Sequence, residues 1–288
     1  MLATTEDRWG IKNLQNCILN IAKYIDCFCS KNGIEYYLMG GSALGAIRHK
    51  GFIPWDDDLD IFMTLDNYEK FRNAFKESGN KRDYYLHELG ASNGKLKCAK
   101  IRMNKSTLIE DAVADMDLHH GVFIDIFILH NCPKPKTQRI WQYFWSRYLV
   151  TKSLANRKNL RGGLGRKIVL SIMRLFPKRF LLDYSLCQIY RFRNSPSDEY
   201  CHFLGHATLS RGTYKKKQFG TPKRVPFELT ELNVPEKTEE YLRDRFGDYM
   251  KLPNTDEIKL AQHASHWDVN NAFTPVKEGT FADEKYLL

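Results

Sequence analysis

Four aspartates lie close together in the first quarter of the chain, shortly after a Gly-Gly-Ser sequence. Asp56, Asp57, Asp58 and Asp60 fall within five positions, and Gly40, Gly41 and Ser42 precede them. Such close like charges repel and are costly to bury, so a folded protein retains them where a cation or many hydrogen-bond donors compensate. Mg²⁺ prefers oxygen ligands of this kind. The cluster predicts a divalent-metal site facing a phosphate-holding turn, with a solvated acidic turn as the alternative.

Alternation of polar and apolar residues selects two of these carboxylates. The residues from Asp58 onward have the pattern of a short strand, in which Asp58 and Asp60 point to one face. Leu59 and Ile61 then point to the other face and can enter a core. The pattern predicts that Asp58 and Asp60 are the metal ligands of this segment.

A third carboxylate interrupts an otherwise apolar run at residues 120–129. This run is rich in β-branched and aromatic residues, which predicts a central strand, and Asp125 lies within it. A lone aspartate in such a strand is costly unless it is paired, protonated or bound to a metal. An aspartate bonded to backbone donors at a strand end is the alternative. The favoured interpretation is a catalytic, metal-binding triad of Asp58, Asp60 and Asp125.

Several donors and cations near these carboxylates are candidate substrate ligands. Gly41 and Ser42 can offer backbone N–H groups and a hydroxyl to a phosphate at the start of a short predicted helix, residues 43–48. Arg48 could clamp a diphosphate or only balance the aspartates. Lys100 and Arg102 share one face of a predicted strand and could point at substrate phosphates, although paired basic residues on an exposed strand are equally ordinary.

The segment from Leu38 to Met63 resembles the signature of the LicD family, which includes bacterial phosphocholine transferases and is related to fukutin and the fukutin-related protein. The resemblance extends, more weakly, to the C-terminal part of the chain. It rests on Gly40-Gly41-Ser42, Gly45, Arg48, Gly51, Ile53 to Asp58 and Asp60, then on Lys100-Ile101-Arg102, Thr107, Asp125-Ile126-Phe127, Tyr241-Leu242, Phe246 to Met250, Leu252-Pro253 and His263. Fifteen residues separate Ser42 from Asp58, longer than is usual in the wider nucleotidyltransferase superfamily, which favours the LicD branch.

The resemblance implies a fold and an activity. The fold is a nucleotidyltransferase, polymerase beta-like, mixed sheet, and the activity moves a phospho-alcohol from a CDP-linked donor, with CDP-choline favoured, to a hydroxyl of a glycan or lipid-linked glycan. Asp58, Asp60 and Asp125 would hold Mg²⁺, with Mn²⁺ as an alternative, and His263 would contribute to substrate binding. Cell-surface polysaccharide synthesis, on lipopolysaccharide or teichoic acid, is the expected setting.

Two other functions remain open from the residues alone. A nucleotidyltransferase that joins a nucleotide to a small molecule or an RNA end would use the same carboxylates. A non-catalytic binding protein would not depend on them. Formation of pyrophosphate would identify the first, and unchanged biological output after Asp58→Asn and Asp60→Asn would identify the second.

The elements that position these residues are predicted as α-β-α-β-α-β-β-β-β followed by helices, an α+β fold with a mixed sheet. We treat residues 1–288 as a single domain, with a core at about 33–130, a helical insertion at about 133–195 and a C-terminal segment at about 196–288. The predicted helices lie at residues 9–32, 43–48, 66–77, 236–244 and 255–266, the third capped by Asp66, and the strands at 35–39, 58–63, 84–89, 97–103, 107–110 and 120–129.

Positive charge is concentrated in the helical insertion. Residues 133–195 contain fifteen Lys or Arg and one acid, Asp183, which gives +14 in a chain of net charge +10. Aromatic and aliphatic residues occur there at helical spacing. Three interpretations are open. The segment could bind an anionic membrane surface, or it could be an ordinary helical subdomain whose basic faces are solvated. A nucleic-acid site is the least favoured.

The chain shows neither a signal-like segment at its start nor an apolar run long enough to span a bilayer. The seven cysteines form no Cys-x-x-Cys pair, which argues against a zinc site and for reduced thiols. We therefore expect a cytoplasmic protein that can associate peripherally with the inner face of a membrane.

Overall fold

The computed structural model describes residues 7–88, 98–110, 114, 118–155, 163–175, 178–205, 208–253 and 264–273. Its helices are α1 Lys12–Lys31, α2 Gly40–Arg48, α3 Leu65–Ser78, α4 Lys136–Ala155, α5 Leu164–Leu175, α6 Lys178–Tyr190 and α7 Thr238–Phe246. Its strands are β1 Tyr37–Leu38, β2 Asp60–Thr64, β3 Tyr84–His87, β4 Ala99–Met103, β5 Thr107–Glu110, β6 Phe123–Asn131, β7 Glu199–Cys201, β8 Thr213–Lys215, β9 Lys223–Phe227, β10 Thr230–Val234 and β11 Ala264–Asp268.

A mixed sheet organises the N-terminal half, which confirms the α+β prediction. Its strand order is β1-β2-β6-β4-β3, and β7 and β8 extend it from the end of β6. Strand β6 is central: it runs parallel to β2 and antiparallel to β4. The apolar run that predicted this strand therefore lies where a strand covered on both faces is expected.

Helices α1 and α3 cover the sheet on the face opposite the aspartates. The apolar positions of α1, such as Leu14, Ile18 and Ile25, are buried against it, as their three- and four-residue spacing predicts. Helix α3 starts one residue earlier than predicted, and its N-cap is Thr64, whose hydroxyl accepts from the Asn67 N–H at 3.3 Å. The predicted Asp66 cap is wrong, because Asp66 is already inside the first turn.

The insertion is helical, as predicted. Helix α4 packs against α5 and α6, forming a small core of its own that includes Leu149, Val150 and Ile189. The amide of the buried Gln142 on α4 donates to the Asn131 and Ile189 carbonyls, at 3.1 and 3.0 Å. These bonds attach the helices to the C-terminal end of β6.

The C-terminal segment differs from the prediction of helices alone. Strands β7 and β8 join the main sheet, β9 and β10 form a hairpin, and β11 pairs with β5. The helix predicted at residues 255–266 is wrong at its end, since β11 begins at Ala264, and residues 254–263, including His263, lie outside the described residues. Each of these strands has three to five residues, so its own periodicity is a weak signal, and tertiary contacts set the register in which it pairs.

Candidate functional site

Asp60 is held at the first position of β2 by Met39, which precedes α2, and by Ser42 in the first turn of that helix. Its N–H donates to the Ser42 hydroxyl at 2.8 Å, and its carbonyl accepts from the Met39 N–H at 2.9 Å. The Ser42 N–H in turn donates to the Met39 carbonyl at 2.9 Å. Gly40, Gly41 and Ser42 thus form the first turn of α2, earlier than the predicted start at residue 43, and the Ser42 oxygen supports Asp60.

The sheet brings the second and third predicted carboxylates side by side. Asp60 and Asp125 are register partners on the parallel strands β2 and β6, and the Asp125 N–H donates to the Leu59 carbonyl at 3.2 Å. Paired strands lie about 4.8 Å apart, and register partners point to the same face. Asp60 and Asp125 therefore share one face of the sheet.

Asp58 was predicted as the first residue of the strand at 58–63, but β2 begins at Asp60, so Asp58 lies in the loop two positions before it. Its carboxylate belongs to a group with those of Asp56 and Asp57, in which one ligand oxygen from each lies within 4.8 Å of the others. Asp57 is buried and accepts from the Ala264 N–H at 2.7 Å. The loop is fixed from α1 by Gln15, whose amide donates to the Asp56 carbonyl at 3.0 Å.

Burial and mutual repulsion disfavour ionisation of this cluster. Burial, then the charges of Asp58 and Asp57, raise the pKa of Asp56 well above its usual value. Burial, then the charges of Asp58, Asp125 and Asp56, raise the pKa of Asp60 in the same direction. The carboxylates of both loop and sheet therefore act on one another electrostatically, and each would be stabilised in its ionised form by a nearby cation.

Lys100 is the cation that this site already contains. It is the register partner of Asp125 on β4, its side chain is 6% exposed, and its Nζ lies 2.6 Å from Asp125 and 3.6 Å from Glu110. Burial alone would lower the pKa of Lys100, but Asp125 and Glu110 outweigh it and raise the pKa. The ammonium also lies 3.3 Å from the centre of the Phe123 ring. In this arrangement Lys100 neutralises a carboxylate.

Arg102 occupies the next position on the same face and is almost fully buried. Its Nη1 donates to the Gly121 carbonyl at 3.1 Å, and its guanidinium lies 4.8 Å from the centre of the Phe123 ring. Burial lowers the pKa of Arg102. The predicted shared face of Lys100 and Arg102 is correct, but both side chains lie in the interior, whereas the alternative interpretation placed them on an exposed face.

Arg48 makes contacts that the sequence did not indicate. Its Nη1 donates to the Tyr249 carbonyl at 2.9 Å and to the Lys251 carbonyl at 3.3 Å, while its Nε lies 2.9 Å from the His49 ring. These bonds tie the end of α2 to the segment after α7. Binding of a diphosphate by Arg48 remains a prediction.

Three residues of the site were not selected from the sequence. Asp56 and Glu110 face the candidate ligands, and Tyr241 accepts the Gly40 N–H at 2.9 Å while its pKa is raised by burial and, among smaller causes, by the charge of Asp60. Asp56 was visible as part of the acidic run. Glu110 carried no such signal, and Tyr241 was named only in the weaker C-terminal part of the family resemblance, because strand pairing and the packing of α7 bring these two residues in.

The residues at this site fit a divalent cation. The donor set is made of hard carboxylate oxygens, and the raised pKa of Asp56 and of Asp60 marks negative charge that Lys100 does not fully offset. Gly41 lies against this cluster, since a Cβ placed there would be 3.1 Å from the Asp56 Oδ2. Among the described residues, the carboxylates whose ligand oxygens all lie within 4.8 Å of one another are those of Asp56, Asp57 and Asp58, and the triad of Asp58, Asp60 and Asp125 stays a prediction.

Comparison with known proteins identifies the family. The family model described as LicD/FKTN/FKRP, nucleotidyltransferase domain, matches residues 33–151. The lipopolysaccharide cholinephosphotransferase LicD of Haemophilus influenzae is 30% identical over 262 residues, which cover 86% of this chain and 94% of that protein. The chain belongs to the LicD family. This confirms the resemblance, and the matched region of the family model contains all four aspartates of the cluster and Asp125.

Other relatives match only shorter regions of the chain. The human ribitol 5-phosphate transferase FKRP is 37% identical over 81 residues, which are 27% of this chain and 16% of that protein. An uncharacterized protein of Rickettsia typhi, RT0683, is 42% identical over 53 residues. This LicD-family chain is therefore similar over most of its length to a cholinephosphotransferase and over about a quarter of it to a ribitol phosphate transferase.

Proposed function

We propose that this protein transfers phosphocholine from CDP-choline to a hydroxyl of a cell-surface glycan. The observation that carries the proposal is the pairing of Asp60 with Asp125 on adjacent parallel strands, with the Asp56 to Asp58 loop next to them. Choline is favoured over other alcohols because the relative that matches almost the whole chain is a cholinephosphotransferase. The lipopolysaccharide in that relative's name supports a glycan or lipid-linked glycan acceptor.

The proposal includes Mg²⁺, with Mn²⁺ as a substitute, held by Asp58, Asp60 and Asp125. When bound, the ion neutralises phosphate charge and polarises the phosphorus–oxygen bonds. It also includes a sheet of the nucleotidyltransferase, polymerase beta-like type, which the description of the matching family model supports.

The chain's own residues supply positioning and proton transfer. The Ser42 hydroxyl and the Gly41 N–H are the candidate donors to the donor's phosphate oxygens, and Arg102 adds positive potential from the interior. The acceptor oxygen bonds to the phosphorus that carries choline, and the bond from that phosphorus to the bridging oxygen breaks, so CMP leaves with the electron pair. Asp125 is the candidate base that accepts the acceptor hydroxyl's proton.

The decisive experiment measures nucleotide release with purified protein, Mg²⁺, CDP-choline and an acceptor glycan. We expect CMP and a phosphocholine-bearing glycan in equal amounts, and loss of both in Asp58→Asn and Asp60→Asn. The control is Asp198→Asn, because the Asp198 side chain is 83% exposed and pairs only with Lys134 on the surface among the described residues. Substituting CDP-ribitol, CDP-glycerol or CDP-ethanolamine for CDP-choline identifies the alcohol.

Two outcomes would reject the proposal. Release of pyrophosphate from a nucleoside triphosphate, with no CMP from any CDP-alcohol, would identify a nucleotidyltransferase. No turnover, together with unchanged melting temperature in the presence of each CDP-alcohol and Mg²⁺, would favour a non-catalytic protein, because a ligand that binds the native form raises its melting temperature.

A further inference from the structure

Helix α5 exposes an apolar face that the proposed reaction does not use. Leu164, Ile168, Ile172 and Leu175 follow one another at spacings of four, four and three residues and are 76%, 52%, 50% and 83% exposed. We call these four residues the α5 stripe. Leu170, on the opposite side of the helix, is 3% exposed and contributes to the anchoring of α5. An ordinary amphipathic surface helix presents its apolar face to the core. Helix α5 differs, because it has one apolar residue turned to the protein and a second apolar face turned to solvent.

Helix α4 adds exposed aromatic and aliphatic surface to the same insertion. Ile140, Trp141 and Phe144 are 50%, 42% and 54% exposed, and the Trp141 indole N–H donates to the Gln188 side chain at 3.0 Å. Among the described residues, most of the large apolar side chains that stand exposed belong to α4, α5 and α6. Concentrated exposed apolar surface of this kind marks an interaction site.

The net charge of the insertion indicates which kind of partner this surface binds. Residues 133–195 carry +14, whereas the rest of the chain sums to −4, and α5 contains Arg166, Lys167 and Arg174 with no acid. A second copy of the chain would bring two strongly positive surfaces together, which repel each other. A nucleic acid would match the charge but would leave the apolar stripe exposed to water. An anionic membrane surface matches both features, because basic side chains meet the headgroups and the apolar face enters the boundary with the acyl chains.

We propose that α4 and α5 form a docking surface for an anionic lipid bilayer, with the α5 stripe inserted in the interface. Helix α5 has twelve residues, about 18 Å, and spanning a bilayer takes about 20 apolar residues. Within the described ranges no helix combines the length and apolar composition needed to cross a bilayer. The helix therefore lies in the plane of the membrane surface. This inference does not depend on the proposed function.

The test is binding of the full chain to vesicles. One set contains about 30 mol% phosphatidylglycerol in phosphatidylcholine, and the other contains phosphatidylcholine alone. We expect binding to the anionic set at low salt, much weaker binding to the neutral set, and a decline as added salt shortens the range of the charges. Neutralising Arg166→Gln and Lys167→Gln together should lower the partition coefficient by about 25-fold, which is about fivefold for each charge.

Matched variants distinguish binding through this surface from binding through charged or apolar side chains elsewhere on the protein. Lys23→Gln with Lys31→Gln removes two exposed charges from α1, and Leu229→Ser removes a side chain that is 86% exposed on the β9–β10 turn. Both should bind as the wild type does. Ile168→Ser with Ile172→Ser should lose binding while the chain still unfolds cooperatively, because about half of each side chain is already exposed.

Three results would overturn the proposal. The first is no binding of the wild type to anionic vesicles at low salt. The second is equal weakening by the α1 and α5 charge variants, which would indicate binding through overall charge. The third is a dimer in light scattering that Ile168→Ser with Ile172→Ser dissociates, or RNA binding that replaces vesicle binding, since either would assign the surface to another partner.

Discussion

Replacing Lys100 with Met tests whether this ammonium compensates the charge of the carboxylate cluster. Lys100 is 6% exposed on its side chain and lies 2.6 Å from Asp125, whose side chain is 16% exposed. Methionine is similar in length and keeps an apolar contact with the Phe123 ring, so the change removes charge without opening a large cavity. What remains is Asp125 beside Asp60 without its ion-pair partner, while the buried Arg102 still lies on the same face of β4.

The size of the effect follows from the burial of the pair. Removing one partner of a buried ion pair costs about 3–5 kcal/mol, and the partial exposure of Asp125 places this case near the lower value of about 3. For 288 residues, an unfolding entropy of about 2.1 cal/mol/K per residue gives about 0.6 kcal/mol/K in total. The expected fall in melting temperature is therefore about 5 °C at neutral pH in the presence of a chelator.

Adding Mg²⁺ should reduce the difference in melting temperature between Lys100→Met and the wild type, which tests the proposed metal site. A divalent cation compensates the same carboxylates, so adding Mg²⁺ should raise the melting temperature of Lys100→Met more than that of the wild type. The control is Lys12→Met, which breaks an ion pair to Glu228 whose side chains are 44% and 26% exposed. An exposed pair contributes less than about 1 kcal/mol, so the control should melt within about 2 °C of the wild type with or without Mg²⁺.

Two results would refute this reasoning. If Lys100→Met melts within about 1 °C of the wild type in the chelator, the ammonium does not compensate buried charge. If the variant is destabilised as expected but Mg²⁺ raises both melting temperatures equally, the ion binds elsewhere, and Asp125 is not part of the metal site.

Three further predictions concern glycines and a buried histidine. Gly45→Ala should cost more than about 2 kcal/mol in chemical denaturation, because its Cβ would lie 2.5 Å from a backbone carbonyl, whereas Gly165→Ala, in open space on α5, should stabilise by about 0.5–1 kcal/mol; equal effects would contradict this. Gly41→Ala should weaken Mg²⁺ binding in calorimetry, because its Cβ would lie 3.1 Å from the Asp56 carboxylate, and unchanged affinity would count against a site there. Burial, then the charge of His202, lowers the pKa of His130 from 6.5 to about 3, so the stability that depends on neutral His130 is fully present only above pH 6.5. The free energy of unfolding should therefore fall by about 2 kcal/mol between pH 7 and pH 5, and His130→Phe should remove most of that fall. An unchanged pH dependence in this variant would refute the prediction.

The longest elements up to β6 could be predicted because each has a periodic apolar face long enough to recognise. The twenty residues of α1 and the nine of β6 give clear patterns, and their bounds differ from the prediction by one to three residues. The short strand β9 did not give such a signal, although Val225 and Phe227 alternate with exposed residues, because Pro226 disfavours a strand assignment. Strand β9 pairs with β10 in a two-stranded sheet, and a proline is tolerated in such an edge strand where its nitrogen faces away from the partner.

The candidate site was predictable where a residue's position follows from its own strand, and not where strand pairing brings residues together. Local alternation predicts the position of Asp60 on β2, whereas Asp58 lies in the loop two positions before that strand. The register that puts Lys100 opposite Asp125 depends on how β4 and β6 align, which no local pattern fixes. The contacts of Arg48 with Tyr249 and Lys251 join residues about two hundred positions apart and arise only when α7 packs on α2.

The two proposed surfaces lie at opposite ends of β6, which makes them separable by mutation. Asp125 is near the start of this strand, and α4 is bonded to Asn131 at its end, six residues away or about 20 Å along the strand. Substitutions that far apart, with no shared partners, normally act additively. Arg166→Gln with Lys167→Gln should therefore leave turnover of water-soluble substrates intact, and Asp58→Asn should leave vesicle binding intact. An acceptor anchored in the bilayer would require both surfaces, so with such an acceptor alone the α5 variant should reduce the rate.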